Sequence, residues 1–286
     1  MSVDLHSHST ASDGSFSPRE LAWILKSHGI RIAALTDHDT VGGVEEFLDS
    51  CRQAGILGMG GIEFSTIFRG REVHLLGYGL PDDDPRWTGF LAGHADYLRG
   101  RCLATLEKLR SHGYELTIEE VYRESDGNPP MPPHILKALG KKQWVSDLGQ
   151  AVVFFKEYLE FGAKAWVDHE TELEAPLGAL LDAGALAIVG HPGRFPDLAW
   201  LEDILDLGAH GFELWYPGQT GRIFEELESI ARKRDCIVTG GSDYHGAFSE
   251  RRLGEVDVPI EAALKLMHAI GQEIPADLAI EGRTDQ

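Results

Sequence analysis

The chain has 286 residues, 43% of them hydrophobic, and a formal net charge of −20. That length admits one large domain or two ordinary ones. The acidic balance disfavours a surface that grips long duplex nucleic acid, but not a nucleotide site, where bound metal and a few arginines can hold a polyanion locally.

In chain order, Val3 to Leu5 reads as a short strand. Ser17 caps a helix running to about His28: Pro18 suits its first turn, Glu20 completes a capping box and Gly29 ends it. Ile32 to Thr36 is a strand, Val41 to Ala54 a helix closed by Gly55, and Leu57 to Phe64 strand-like again. Arg69-Gly70-Arg71 reads as a turn, and Glu72 to Tyr78 returns as a strand. This alternation predicts a parallel sheet or barrel with helices outside. After Pro81 to Pro85 the pattern becomes helical as far as Lys164. Leu98, Cys102, Leu106 and Leu109 keep helical spacing there, and Asp147 to Phe161 resembles another helix. We therefore expect a barrel domain built from residues 1–84 and 165–286, interrupted by a helical subdomain over 85–164. The βα rhythm resumes at Leu186 to Val189, Gly211 to Trp215 and Cys236 to Thr239, with helices at Leu198 to Leu207 and Gly221 to Arg234.

No run approaches about 20 apolar residues, so no membrane span is expected. The amino terminus lacks the basic and apolar regions of a signal peptide, since His6 and His8 interrupt it. Cys51, Cys102 and Cys236 are odd in number and far apart, which supports neither a disulfide framework nor a zinc knuckle and fits a reducing, cytoplasmic compartment.

Residues able to do chemistry gather at the ends of apolar runs. In Asp4-Leu5-His6-Ser7-His8 the two histidines, one residue apart, point the same way from one strand, and Asp13 follows. Thr36-Asp37-His38-Asp39, Gly61-Ile62-Glu63, Val73-His74-Leu75, Pro133-His134, Gly190-His191-Pro192 and Ser242-Asp243-Tyr244-His245 come next, and Glu213 also closes an apolar run. Imidazoles mixed with carboxylates suit transition metals, and parallel α/β folds collect functional groups at the carboxyl ends of strands. By contrast, Asp82-Asp83-Asp84 lacks the spacing and glycine of a calcium loop and reads as solvated.

These segments, together with Arg71 to Tyr78 and Gly241 before Ser242, closely resemble the PHP family of metal-dependent phosphoesterases. The resemblance covers residues 3–79 and 186–245. It points to the standalone branch of nucleoside 3′,5′-bisphosphate phosphatases and 5′→3′ oligoribonucleases. It implies a distorted (β/α)7 barrel, here with the inserted helical subdomain, and two to three divalent metal ions, manganese first, with iron or zinc as alternatives. Carried onto this chain, it implies one ion held by His6, His8, Glu63 and Asp243. A second falls to Glu63, His74 and His134, with Glu63 bridging, and a third to Asp13, His38 and His245. A carboxylate bridge can hold two ions about 3.5–4 Å apart, and a water between them loses its proton near neutral pH to become the nucleophile. His191 is the candidate proton donor or phosphate ligand, and Asp37 is expected to orient the site. Arg194, Arg101 and Lys164 are the candidate substrate contacts. Trp215-Tyr216 can either stack on a base or pack. His28, His94, His112, His169, His210 and His268 read as structural or surface residues.

The expected activity is hydrolysis of the 3′-phosphate of nucleoside 3′,5′-bisphosphates, with 5′→3′ cleavage of short 5′-phosphorylated RNA alongside. Histidinol phosphate or another small phosphomonoester is the alternative substrate. A non-catalytic metal-binding accessory module is the alternative class, and the near-complete ligand set argues against it. The expected partners are a small nucleotide or a short RNA 5′ end, with no long duplex and no membrane.

Overall fold

Seven strands lie side by side in the order in which they occur: β1 (Ser2–Asp4), β2 (Ile30–Leu35), β3 (Leu57–Phe68), β4 (Arg71–Tyr78), β5 (Leu186–Val189), β6 (Gly211–Trp215) and β7 (Ile237–Gly240). The computed structural model describes residues 2–81, 83–246 and 250–275, so Asp82 of the acidic loop lies outside the described residues.

One strand departs from the expected parallel sheet or barrel: β4 runs antiparallel to both β3 and β5. The cause is local. Arg69 and Gly70 alone join β3 to β4, with φ of 53° and 74°. Two left-handed residues make a tight hairpin turn, and so short a loop cannot carry the crossover that parallel strands need. The other pairs are parallel.

The named strands leave β1 and β7 unpaired at the sheet edges. Past their ends, loop backbone bridges the gap: Leu5 N–H donates to the Gly240 carbonyl (3.1 Å), Asp243 N–H to His6 (3.0 Å) and His8 N–H to Tyr244 (2.9 Å). A side chain at Gly241 would put its Cβ 2.4 Å from the His6 nitrogen, so only glycine lets these segments meet. The result is a distorted barrel, joined on this side by the loops that carry His6, His8 and Asp243.

Alternation along the strands packs both faces. Ile32 and Ala34 pack with Val3, Leu76 and Ile188, over which α10 (Ile260–Ala269) lies. Ala33 and Leu35 face outward to the first two helices, α1 (Pro18–Ser27) and α2 (Val44–Ala54). Burial on both faces is why these strands read as continuous apolar runs. The Ser17–Glu20 capping box forms as expected. On the other outer side, Phe64, Phe212 and Leu214 pack among α7 (Glu174–Asp182), α8 (Ala199–Asp206) and α9 (Arg222–Arg234).

The helical stretch begins with α3, a single 27-residue helix over Pro85–Ser111. Its first half packs in that same outer cluster: Trp87 is buried there and its ring meets Phe64 edge-on. A separate apolar cluster starts only at Cys102 and joins the second half of α3 to α4 (Ile118–Glu124), α5 (Pro132–Lys141), α6 (Leu148–Phe154) and a π-helical turn, Phe155–Leu159. Cys51, Cys102 and Cys236 are free thiols. No helix among the described residues is long and apolar enough to cross a membrane.

Candidate metal centre

The strand ends converge. Because His6 and His8 alternate with a residue facing away, both rings turn inward, with centroids 5.1 Å apart. Glu63 comes from β3 and His74 from β4. The hairpin register sets Ser65 opposite His74, so Glu63 lies diagonally across from it, and its Oε1 stands 2.8 Å from His74 Nδ1. Extension of β2 brings His38 alongside Glu63, where Asp39 N–H donates to the Glu63 carbonyl. Asp39, His191 and Asp243 all have positive φ, at the ends of β2, β5 and β7. That backbone is uncommon for non-glycine residues and recurs where strand ends aim side chains at a site.

Three donor groups result: His6, His8, Glu63 and Asp243; His8, Asp13, His38 and His245; and His38, Glu63 and His74. In each, one donor atom per residue lies within 4.8 Å of all the others. Shared use of His8, His38 and Glu63 merges the three into one cluster. In the first group, His6 Nε2 and His8 Nε2 are 3.1 Å apart, and Glu63 Oε2 is 3.0 and 3.1 Å from them. Asp243 Oδ1 is 3.4 and 3.2 Å from the same two nitrogens. Four ligands at about 2.0–2.1 Å from one tetrahedral ion would stand about 3.3 Å from each other, so this donor set fits a divalent cation. Among the described residues His8 Nδ1 is buried without a hydrogen-bond partner, an orphaned polar atom of the kind that costs about 1–3 kcal/mol when nothing engages it.

The electrostatics agree with that fit. Burial opposes charge on His6, but Glu63, Glu213 and Asp243 outweigh it and hold its pKa well above the ordinary value. Burial likewise opposes charge on His8, yet bonds to Asp243 and Glu63 raise its pKa to about 10. Burial would raise Glu63, but the surrounding imidazoles keep it well below the usual carboxylate range. On His6 and His8 protons therefore sit where a cation would, and cation binding must displace them.

His134 departs from the expected ligand set. It occupies the N3 position of α5, and its ring turns back to that helix's start, where Nδ1 accepts from Met131 N–H at 2.9 Å. Nε2 then carries the proton and faces the Thr10 carbonyl at 3.4 Å. Both nitrogens are engaged, so no lone pair is left for a metal. Beside Glu63 and His74 stands His191 instead, its Nε2 3.3 Å from Glu63 Oε1 and its ring centroid 4.9 Å from that of His74.

The site of His134 makes stability depend on pH. Burial, then Lys137, pushes its pKa down to about 4. An unfolded histidine titrates near 6.5. Above that pH both states are neutral and the full stability is present. As pH falls from 6.5 to about 4, the unfolded chain takes up a proton the fold refuses, so stability drops, by on the order of 3 kcal/mol from this residue. Urea melts at pH 7 and pH 4.5 should show His134→Gln losing less stability on acidification than wild type. Equal losses would refute the assignment.

The other expected residues divide. Asp37 does not face the cluster. Its carboxylate accepts from Ser9 N–H (2.7 Å), Ser9 Oγ (2.6 Å) and Ser12 Oγ (2.6 Å), fixing the loop that carries Asp13. Arg101 donates to the Val167 carbonyl at 2.9 Å and lies over the Trp166 ring, which occupies it structurally. Lys164 is exposed and paired with Glu157. Neither lines the cleft that His74 and His191 border. Arg194 does: with these two histidines it lines a cleft of about 870 Å³.

Three further residues belong to the site. Glu213 accepts from His6 Nδ1 (2.9 Å) and from His191 N–H (2.8 Å), so one carboxylate orients both. Its place after an apolar run was the only signal in the sequence. Tyr216 donates to Asp243 Oδ2 at 2.8 Å, and its ring lies 5.0 Å from that of His191, so it positions ligands. Asp39 binds His94 from α3 at 2.8 Å, a contact between segments far apart in sequence.

A distorted α/β barrel with a buried histidine–carboxylate cluster at its strand ends defines the class: a metal-dependent hydrolase of the barrel type. Residues 4–167 match the PHP domain, and the chain belongs to that family. It is 32% identical over 248 residues to a 5′-3′ exoribonuclease of Haemophilus influenzae, covering 85% of this chain and 89% of that one. It is 27% identical to a phosphoribosyl 1,2-cyclic phosphate 1,2-diphosphodiesterase of Eggerthella lenta (87% and 95% covered). Identity to a 3′,5′-nucleoside bisphosphate phosphatase of Chromobacterium violaceum is 30% (85% and 87% covered). The fold matches that of a Bifidobacterium adolescentis protein assigned as a metal-dependent phosphoesterase, with a TM-score of 0.81, 23% identity and 97% and 98% coverage.

Proposed function

We propose that this chain is a metal-dependent phosphoesterase that removes the 3′-phosphate of nucleoside 3′,5′-bisphosphates and degrades short 5′-phosphorylated RNA from its 5′ end. The observation that carries the reading is the position of the cluster: His74 and His191 form its edge and also line the cleft that Arg194 enters. A polyanion in that cleft meets the donor set at one end and a guanidinium beside it. The named activities of the Haemophilus influenzae and Chromobacterium violaceum relatives support the same substrate class.

We assign the ligands as His6, His8, Asp13, His38, Glu63, His74, Asp243 and His245, with His191 taking the place first given to His134. Divalent ions held there, two to three in number and manganese by our assignment, would neutralise phosphoryl oxygens and lower the pKa of an attacking water. The oxygen ligand Asp13 favours manganese or iron over zinc. The chain's own part is to fix geometry. Glu63 holds donors of two groups at one carboxylate, Glu213 and Tyr216 orient His6, His191 and Asp243, and Asp37 holds the Asp13 loop. Arg194 grips phosphate through a charge-assisted fork. We place the enzyme in the cytoplasm and the insertion, residues 85–164, beside the cleft.

Phosphate release tests the reading. With manganese present, adenosine 3′,5′-bisphosphate should be turned over far better than histidinol phosphate. The reverse order would favour a small phosphomonoester phosphatase, and no release from either substrate would favour an accessory module.

A further inference from the structure

The cleft's volume of about 870 Å³ lies near the top of the range of about 300–1,000 Å³ that encloses a single drug-sized ligand. Besides His74 and His191 its wall carries aromatic residues. Phe161 and Trp166 line it from the segment after the π-helical turn, and Phe195 and Trp200 line it from the segment after β5. Within each pair the rings are in contact, with centroids 5.5 and 6.3 Å apart.

These rings are not equally free. Trp166 is braced, its Nε1 donating to Asp168 at 2.9 Å and one face covered by Arg101. Phe161, which it backs, is 79% exposed, an unusual state for phenylalanine, and it faces solvent at the cleft rather than the core. Trp200 is half-buried, its ring edge-on to Phe68 and with the Arg69 guanidinium over one face, 5.8 Å from its centroid, so one face at most is open to a base. Arg71 and Arg194 also line the cleft, and both are exposed. Glu72 and Asp168 line it as well, so the charge there is mixed and not a general anion trap.

Aromatic platforms spaced along a groove with occasional arginines are what single-stranded nucleic acid recognises: bases stack and phosphates follow the cations. A groove that begins at a phosphoesterase centre and continues into such a wall has a defined occupant. We propose that the outer half of the cleft is a stacking site for the nucleotides downstream of the scissile phosphate, with Phe161 and Trp200 as its specificity-determining residues. The inference rests on the phosphoesterase reading and extends it: the preferred substrate is a single-stranded oligonucleotide longer than a mononucleotide.

The test compares adenosine 3′,5′-bisphosphate with 5′-phosphorylated tetra-adenylate. Wild type should show the higher kcat/KM on the tetramer. In Phe161→Ala the ratio of the two values should fall about five- to a hundredfold, chiefly through KM, the range that loss of one stacked base produces. Trp200→Ala should do the same, and the exposed Phe161 guards against a variant that merely misfolds. A second measurement needs no turnover. Tetra-adenylate should quench tryptophan fluorescence of the metal-stripped protein, with an affinity weakened by a similar factor in Phe161→Ala. Hydrolysis of the mononucleotide without length preference, or variants that lower both substrates equally, would overturn this inference and leave the phosphoesterase reading standing. Hydrolysis of neither substrate would overturn both.

Discussion

Glu63→Ala is expected to strip bound metal and to lower phosphate release by about a thousandfold or more, roughly 4 kcal/mol of barrier. The reason is its position. Its two oxygens lie within 3.4 Å of nitrogens from His6, His8, His38, His74 and His191, and its side chain is fully buried. Among the described residues no other stands in contact with all five. Alanine would remove the carboxylate that these five imidazoles share and leave Asp243 beside His6 and His8 only, so bound cations would lose the common anion that offsets their mutual repulsion. Glu63→Gln, which keeps the volume and one carbonyl oxygen, separates loss of charge from loss of packing. It should fold, bind less metal and remain largely inactive. Elemental analysis of the purified variants, read beside their circular dichroism, decides the matter. Full metal content in Glu63→Ala would sink the bridging assignment.

Arg194→Ala should lower kcat/KM on adenosine 3′,5′-bisphosphate by roughly ten- to two-hundredfold without emptying the metal sites. A charge-assisted contact to phosphate is worth ~1.5–3 kcal/mol, and its loss appears in full when the contact is made in the transition state. Arg194 ends a short 3₁₀ turn, Pro192–Arg194, that starts at His191, so a ligand-side residue and the guanidinium share one rigid segment. The companion measurement uses 3′-AMP. If Arg194 anchors the 5′-phosphate, wild type should turn over 3′-AMP poorly, and the variant should narrow the gap between the two substrates. Equal turnover of both by wild type would remove the anchor and favour a generic phosphomonoesterase.

The barrel's elements were legible because each carried a local signal. Ser17, Pro18 and Glu20 announce α1 through capping that needs no tertiary partner. The apolar runs of β2, β5 and β6 announce strands buried on both faces. The direction of β4 was legible in principle, since Arg69-Gly70 is too short for a crossover, yet the βα rhythm around it pointed the other way. The donor residues could be read from their places at strand ends. What each of them touches could not. His134 sits in the first turn of α5, directly after Pro133, within the family's ligand pattern. Only the fold reveals that its ring bends back onto Met131 N–H.

By itself the sequence determined the strand and helix succession, the family likeness and most of the histidine and carboxylate inventory, because these depend on neighbours a few residues apart. The tertiary structure alone decided which side chains share an atom-scale site. The pairing of Glu63 with His191 spans 128 residues and that of His6 with Glu213 spans 207, and both are set by how strand ends meet around the barrel. It also set apart Asp37, Arg101 and Lys164, whose charges are engaged by Ser9 and Ser12, Val167 and Glu157, from Arg194, which enters the cleft. Charge type is written in the chain, but whether a charge faces a ligand or a neighbour depends on three-dimensional register, which no local pattern encodes.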